Sequence, residues 1–175
     1  YLAGGGVLSA NVFHRHINDL IRYQTRLQSV TWSTSQRWVS TPLNVGDAIT
    51  QGIELEAKFR LNQAWAEALP VDIRSNMSFF RSRVKDVPGP NNRLDGQQPW
   101  SANFGFDQRI SGLPLSVGGN LSYTPGYETR QTVEQLLART TARSIDLFAM
   151  MFLSPTVSVR ASASAGVQQF GPPNG

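Results

Sequence analysis

The sequence contains no cysteine, so no disulfide framework and no thiolate metal site exists in it. Long apolar runs are also missing. The longest extends from Leu147 to Leu153, far short of the roughly 20 residues a membrane helix requires. Nothing at the start resembles a signal peptide, because Tyr1-Leu-Ala-Gly4 has neither a basic opening nor an apolar core. Charge is sparse: 16% of residues are Asp, Glu, Lys or Arg, and the net charge is only +4. The sequence pI near 10.0 invites a nucleic-acid reading. The sixteen basic residues are nevertheless scattered, with no cluster denser than Arg81-Ser-Arg-Val-Lys85. A groove that tracks phosphates needs convergent positive charge, so nucleic acid is excluded as a partner. At 40% hydrophobic residues the chain is neither disordered nor unusually oily, and 175 residues suit one domain.

What the chain does contain is alternation. From Gly52 to Leu61 polar and apolar residues follow each other without an error. Successive strand side chains point to opposite faces, so this stretch has one greasy and one charged face. Leu8, Ala10 and Val12 open the same pattern against Ser9, Asn11 and Arg15, in a strand from about Val7 to Ile17. Later come Val71, Ile73, Met77 and Phe79, then Trp100, Ala102, Phe104 and Phe106. Leu115, Val117, Leu121 and Tyr123 follow, then Ile145, Leu147, Ala149, Met151 and Leu153. The last row is Val157, Val159, Ala161, Ala163, Ala165 and Val167. The expected fold is all-β: an antiparallel up-and-down meander of about seven long strands.

Between the strands, residues 20–38 alternate poorly. Residues 62–70 read as a turn, residues 87–99 as a loop dense in Pro, Gly and Asn, and Ser111-Gly-Leu-Pro114 and Ser154-Pro-Thr156 as tight turns. The connection over residues 124–142 is longer, and residues 133–139 within it suggest a helical turn or two. Residues 170–175 read as a loop. Connections thus run long, short, long, short, long, short. Alternate connections of a meander lie at one end, so one end bears short turns and the other long polar loops. Outer-membrane barrels are built this way.

Alternation alone leaves open which face is buried. A soluble barrel turns its apolar face inward; a membrane barrel turns it to lipid and lines a wet lumen with the polar row. Three features favour the membrane. The polar rows mix Asn, Ser, Gly, Asp, Glu and Arg. The apolar rows are rich in small residues (Ala10, Ala57, Ala102, Gly119, Ala161, Ala163, Ala165), which fit lipid better than a close-packed core. Aromatic residues sit towards strand ends (Trp100, Tyr123, Phe59), as in an interfacial girdle.

These residues also carry a resemblance. Asn44-Val-Gly-Asp-Ala-Ile-Thr-Gln-Gly-Ile-Glu-Leu-Glu-Ala57 resembles a descending strand of TonB-dependent outer-membrane receptors, with Asn-x-Gly-x-Ala ahead of a Gly-hydrophobic-Glu-hydrophobic-Glu run. Leu8 to Ile21, in which Phe13 precedes Ile17-Asn-Asp-Leu-Ile21, is similar to the ascending strand before it. Pro99-Trp-Ser-Ala-Asn-Phe-Gly-Phe106 resembles the strand that re-enters the membrane after a Pro-containing loop. The resemblance spans nearly the whole chain. It implies the C-terminal part of a barrel over residues 1–175, an incomplete wall segment with the plug domain, the TonB box and the final strand absent. It further implies a bacterial outer-membrane location and active import of ferric siderophores or a similar scarce nutrient. The implied partners are the receptor's own plug, the remaining strands, the TonB complex and the outer-membrane lipid.

Eight residues are candidates for facing the plug: Glu54, Glu56, Lys58, Arg60, Asp72, Arg74, Asp107 and Arg109. All are expected near the short-turn end, where charge-assisted hydrogen bonds to a plug compete with a mutually paired, solvated charge ladder. Arg81, Arg83, Lys85 and Arg93 are expected at the long-loop end, as contacts for lipopolysaccharide or an anionic ligand. His14 and His16 share the outward face without a third ligand nearby, so an interfacial position is expected rather than a metal site. Residues 86–95 lack the alternating acids and closing Glu of a calcium loop. No base stands against a nucleophile, so no catalytic residue, cofactor or metal is assigned. The alternatives are a passive porin and a soluble β-barrel or β-sandwich binding module.

Overall fold

A computed structural model describes residues 5–133 and 135–168. Residues 170–175, expected as a loop, lie outside the described residues. The elements in chain order are β1 (Val7–Ile17), β2 (Ile21–Gln28), β3 (Arg37–Asn44), β4 (Ala48–Arg60), α1 (Leu61–Ala64), β5 (Val71–Val84) and β6 (Trp100–Ile110). They continue with β7 (Leu115–Thr124), β8 (Tyr127–Arg130), β9 (Leu136–Arg139), β10 (Ala142–Ser154) and β11 (Val157–Gln168).

Seven of these strands form one sheet in the order β1-β4-β5-β6-β7-β10-β11, every neighbouring pair antiparallel. The sheet is an open meander, a segment of barrel wall. Its strands are ten to fourteen residues long. That is about twice the usual length in globular proteins and enough for the 9–11 residues a tilted strand needs to cross a bilayer. β2 with β3, and β8 with β9, form separate two-stranded ribbons inserted in the long connections.

Residues 20–38, which alternate poorly and fall between the expected wall strands, hold β2 and the start of β3. Two expectations need correction. Residues 133–139 contain no helix among those described: Leu136–Arg139 is β9, paired with Tyr127–Arg130. Leu, Ala and Arg favour helix intrinsically, but pairing across a short turn outweighs a preference of a few tenths of a kcal/mol per residue. That turn is closed by the Gln131 N–H to the Gln135 carbonyl (2.9 Å) and the Gln135 N–H to Thr132 Oγ1 (3.1 Å). The turn over residues 62–70, finally, begins with the short helix α1, so β4 ends at Arg60.

Register decides the faces. Leu8 lies opposite Ala57, Ala10 opposite Leu55 and Val12 opposite Ile53. The row continues through Met77 and Phe79 to Ala102 and Trp100, then from Phe104 to Leu121, Ile145 and Ala165. Opposed residues share a face, so the apolar rows merge into one band across seven strands. That band is open: Leu8, Val12, Ile53, Phe104, Leu121, Ile145, Leu147 and Val159 are all exposed. A few hundred Å² of contiguous apolar surface is the usual ceiling for a soluble monomer, and here a whole sheet face exceeds it. Among the described residues the buried hydrophobics are few: Val45, Ala48, Val84 and Val87, against which the partly buried Ile17, Leu20 and Leu94 pack, in a small cluster at the long-loop end.

Candidate functional site

The face opposite the band carries a polar row that crosses the sheet from strand to strand. Ser9, Glu56, Asn76, Asn103, Ser122 and Ser144 lie in successive register, ending at Gly166. Asn103 Nδ2 donates to Asn76 Oδ1 (2.9 Å) and Ser122 Oγ donates to Asn103 Oδ1 (2.6 Å), so the row is a cross-strand hydrogen-bond ladder.

Nearer the short turns the ladder becomes charged. Arg60 faces Asp72, and Asp72 faces Asp107. Arg60 Nε lies 3.0 Å from Asp72 Oδ1, Arg74 pairs with Asp107, and Lys58 Nζ is 2.6 Å from Glu56 Oε1. Glu54 accepts a bond from Asn11 Nδ2 (3.0 Å). The structure therefore brings seven of the eight expected inner-face residues into four separate solvent-exposed pairs on one face: Arg60–Asp72, Arg74–Asp107, Lys58–Glu56 and Glu54–Asn11. Arg109 stands apart, its guanidinium 6.0 Å from the Phe152 ring and without an ion pair among the described residues. Three strands along the same row, Arg160 sits 4.4 Å from the Phe148 ring centroid. Phe148 leans over Gly118, where an added Cβ would approach its ring to 2.6 Å. These inward aromatics escaped sequence reasoning because β10 is apolar on both faces over residues 147–153. A double-sided run carries no alternation to read.

At the opposite end the long connections fold onto the same polar face. Gln97 Nε2 donates to Thr50 Oγ1 (2.8 Å), Ser82 Oγ donates to Gln97, and the Leu94 N–H bonds Ser82 Oγ (2.8 Å). Thr50 and Ser82 are opposed inner-face residues of β4 and β5. The loop over residues 85–99 thus lies across the mouth rather than away from it. Asn92 holds its base, donating to the carbonyls of Val84 and Val87 (both 2.8 Å).

Arg22 joins all three connections. Its Nη1 donates to the carbonyls of Arg130 and Gln131 (both 3.2 Å), and its Nη2 donates to the Arg93 carbonyl and lies 3.2 Å from Asp95 Oδ1. The side chain is 3% exposed. Burial pushes its pKa down from the ordinary arginine value, and Asp95 opposes that shift. Further links run between the same loops. Asn91 Nδ2 donates to Glu128 (3.1 Å), the Arg130 N–H to the Asn91 carbonyl (2.7 Å), and Gln135 Nε2 to the Thr25 carbonyl (3.1 Å). In β2 the buried residues are Arg22 and Gln24, while Ile21 and Tyr23 are exposed. The alternation Ile-Arg-Tyr-Gln was a signal for this ribbon; its polar side being the buried one was not legible.

The four long-loop-end cations separate into two pairs. Arg81 faces Gln51 and Arg83 faces Ile49, both within β5 on the outward face. Lys85 and Arg93 belong to the following loop. Arg93 has its guanidinium 5.9 Å from the Tyr127 ring and its carbonyl bound by Arg22. His14 and His16 share the outward face with Arg81 and Arg83, His14 opposite Gln51 and His16 opposite Ile49. Trp100 stacks on Tyr123 (5.0 Å between centroids) within the outward band.

A family model described as TonB dependent receptor-like, beta-barrel, matches residues 1–168. The chain belongs to this family. No curated protein and no solved structure matches it. TonB-dependent receptor barrels are bacterial outer-membrane proteins that act in receptor-mediated transport, and the family is one of transporters rather than enzymes. Membership implies, in general, a plug domain and interaction with TonB. The exposed apolar band is accordingly the lipid-facing side of the wall, and the polar ladder faces the lumen.

Proposed function

We propose that this wall segment serves a receptor that imports a ferric siderophore or a similarly scarce, bulky nutrient by TonB-dependent active transport. The observation that carries this reading is the mouth. Three polar connections are fastened together over the lumen face by one buried arginine, a preorganised rim that a freely permeable pore does not need. Binding such a ligand requires side chains held in place before it arrives, and Arg22 with Gln97 and Asn92 supplies that rigidity. The same wall offers Glu54, Glu56, Lys58, Arg60, Asp72, Arg74 and Asp107 to a plug, by exchanging existing pairs for plug pairs at little net cost, and Arg109 as a cation without an ion pair among the described residues. Lipopolysaccharide is the partner proposed for the outward cations Arg81 and Arg83, and an anionic ligand the one for Lys85 and Arg93.

Growth of a deletion strain on a panel of ferric chelates, cobalamin and sugars as limiting nutrients tests the transport reading. Loss of growth on one ferric chelate, reproduced by deleting TonB, is the expected outcome. Growth independent of TonB would assign a passive channel instead. For the plug, Glu54→Ala with Arg74→Ala in the complete receptor is expected to lower uptake; unchanged uptake and unchanged plug retention would remove these residues from that role.

A further inference from the structure

The β2–β3 ribbon has one face that no other described residue covers. Register sets Tyr23 opposite Pro42, Thr25 opposite Ser40 and Leu27 opposite Trp38, so these six residues share that face. Tyr23 is 70% exposed and Trp38 71%, and Trp32 in the turn beyond them is 74% exposed. The charged residues of the two strands, Arg22, Arg26 and Arg37, all alternate onto the other face. Residues 29–36, which join the strands, carry no charge either. The open face is therefore an uncharged aromatic strip, and Tyr and Trp are the residues that dominate protein contacts when buried.

The face behind it sets its direction. Through Arg22 and Gln24 that face is buried against the loops that lie over the mouth. The strip accordingly looks away from the mouth, sideways over the membrane. Tyr23 stands seven residues beyond His16, roughly 20 Å at about 3.3 Å per residue. The outward rows beneath it hold His14, His16, Arg81 and Arg83, a polar belt between the strip and the lipid-facing band.

Acyl chains do not reach past that belt. Anionic sugars and phosphates of the leaflet call for cations, and the strip has none. A nutrient arrives at the mouth, on the other side of the ribbon. The occupant that fits is a protein standing beside the receptor at the same height. Two copies inserted in one membrane share their orientation, and a two-fold axis along the membrane normal turns the same face of each towards the other. A charged strip would repel its own copy; an uncharged one does not.

We infer that two receptors pair side by side in the outer membrane through these faces of their β2–β3 ribbons, Tyr23, Leu27 and Trp38 of one packing against those of the other. The inference rests on the membrane placement of the wall and not on the identity of the nutrient. Eight residue pairs make up the ribbon. At about 27 Å by about 10 Å they offer on the order of 270 Å² per copy, well below the roughly 800 Å² per partner of a standard interface. Confinement in one membrane compensates, because height and orientation are fixed before the copies meet and part of the cost of association is removed.

The complete receptor, labelled separately with donor and acceptor dyes, is reconstituted into phosphatidylcholine vesicles at decreasing protein-to-lipid ratios. Wild type is expected to show energy transfer above the level of randomly placed, non-interacting labels. Trp38→Ser is expected to weaken the association at least about 30-fold, the loss of one aromatic anchor, and Tyr23→Ser to act likewise. Arg26→Ser, on the opposite face of the same ribbon, is expected to leave it unchanged. Random-level transfer in wild type, undiminished transfer in both aromatic variants, or an equal loss on Arg26→Ser would each overturn the pairing. Slower amide exchange over residues 21–44 when lipopolysaccharide is added to a receptor that stays single would give the strip to a saccharide and overturn it too. Insertion of every variant is read independently from heat-dependent gel mobility. Failure of wild type to insert overturns the membrane reading and the pairing with it, whereas insertion as a single receptor overturns the pairing alone.

Discussion

Arg22 carries more structure than any other single side chain. It is buried, it donates to three carbonyls and it sits beside Asp95. Replacing it with Gln leaves those acceptors short of donors, and hydrogen bonds to a charged group are worth about 1.5–3 kcal/mol. Arg22→Gln is expected to destabilise the joined loops by about 2–3 kcal/mol, measured as faster amide exchange across residues 85–99 and 127–139 with the wall unaffected. Arg22→Lys is expected to rescue little, because a single ammonium cannot span the separated acceptors. Gly52 is the second sensitive position. Phe13 and Phe80 flank it with ring centroids 6.0 Å apart. Gly52→Val therefore overpacks an already closed site, and a loss of about 1–3 kcal/mol is expected, read from thermal unfolding of the inserted receptor.

Among the elements, the strands differ in what their two faces tolerate. Leu121 points to lipid, and Asn103, one strand away, to the lumen. An arginine facing the middle of the bilayer costs about 2–4 kcal/mol, whereas a lumen position accepts it. Leu121→Arg is thus expected to lower folding yield into bilayers sharply, and Asn103→Arg to leave it nearly intact; equal effects would mean that the faces are reversed. The charged ladder should behave differently. Its members are exposed and joined two by two, so Arg60→Ala is expected to leave the thermal unfolding midpoint of the inserted receptor unchanged. The two ribbons were the elements least legible in sequence. β8 and β9 are four residues each, too short for a period to show. β3 contains Pro42, which is tolerated because each strand of a two-stranded ribbon is an edge strand.

For the whole molecule, the open edges dominate. β1 and β11 each have one strand neighbour in the sheet, so a row of N–H and C=O groups on each is unpaired among the described residues. Exposed edges recruit other chains. The 175-residue chain on its own is expected to pair with another copy or aggregate in detergent, and a monodisperse, closed monomer by light scattering would contradict this.

Alternation by itself determined the seven wall strands, their meander order and the uneven connections, because a period of two survives in any environment that wets one face only. Motif order then pointed to the family that the match over residues 1–168 established. Tertiary structure alone decided the rest. The ion-pair partners of Arg60 and Arg74 depend on cross-strand register, which no single strand encodes. Burial of Arg22 depends on three segments separated by up to 109 positions meeting at one guanidinium. The separation of Arg81 and Arg83 from Lys85 and Arg93 depends on where β5 ends and its loop turns back over the lumen. A sequence shows which residues alternate; only the folded sheet shows which of them meet.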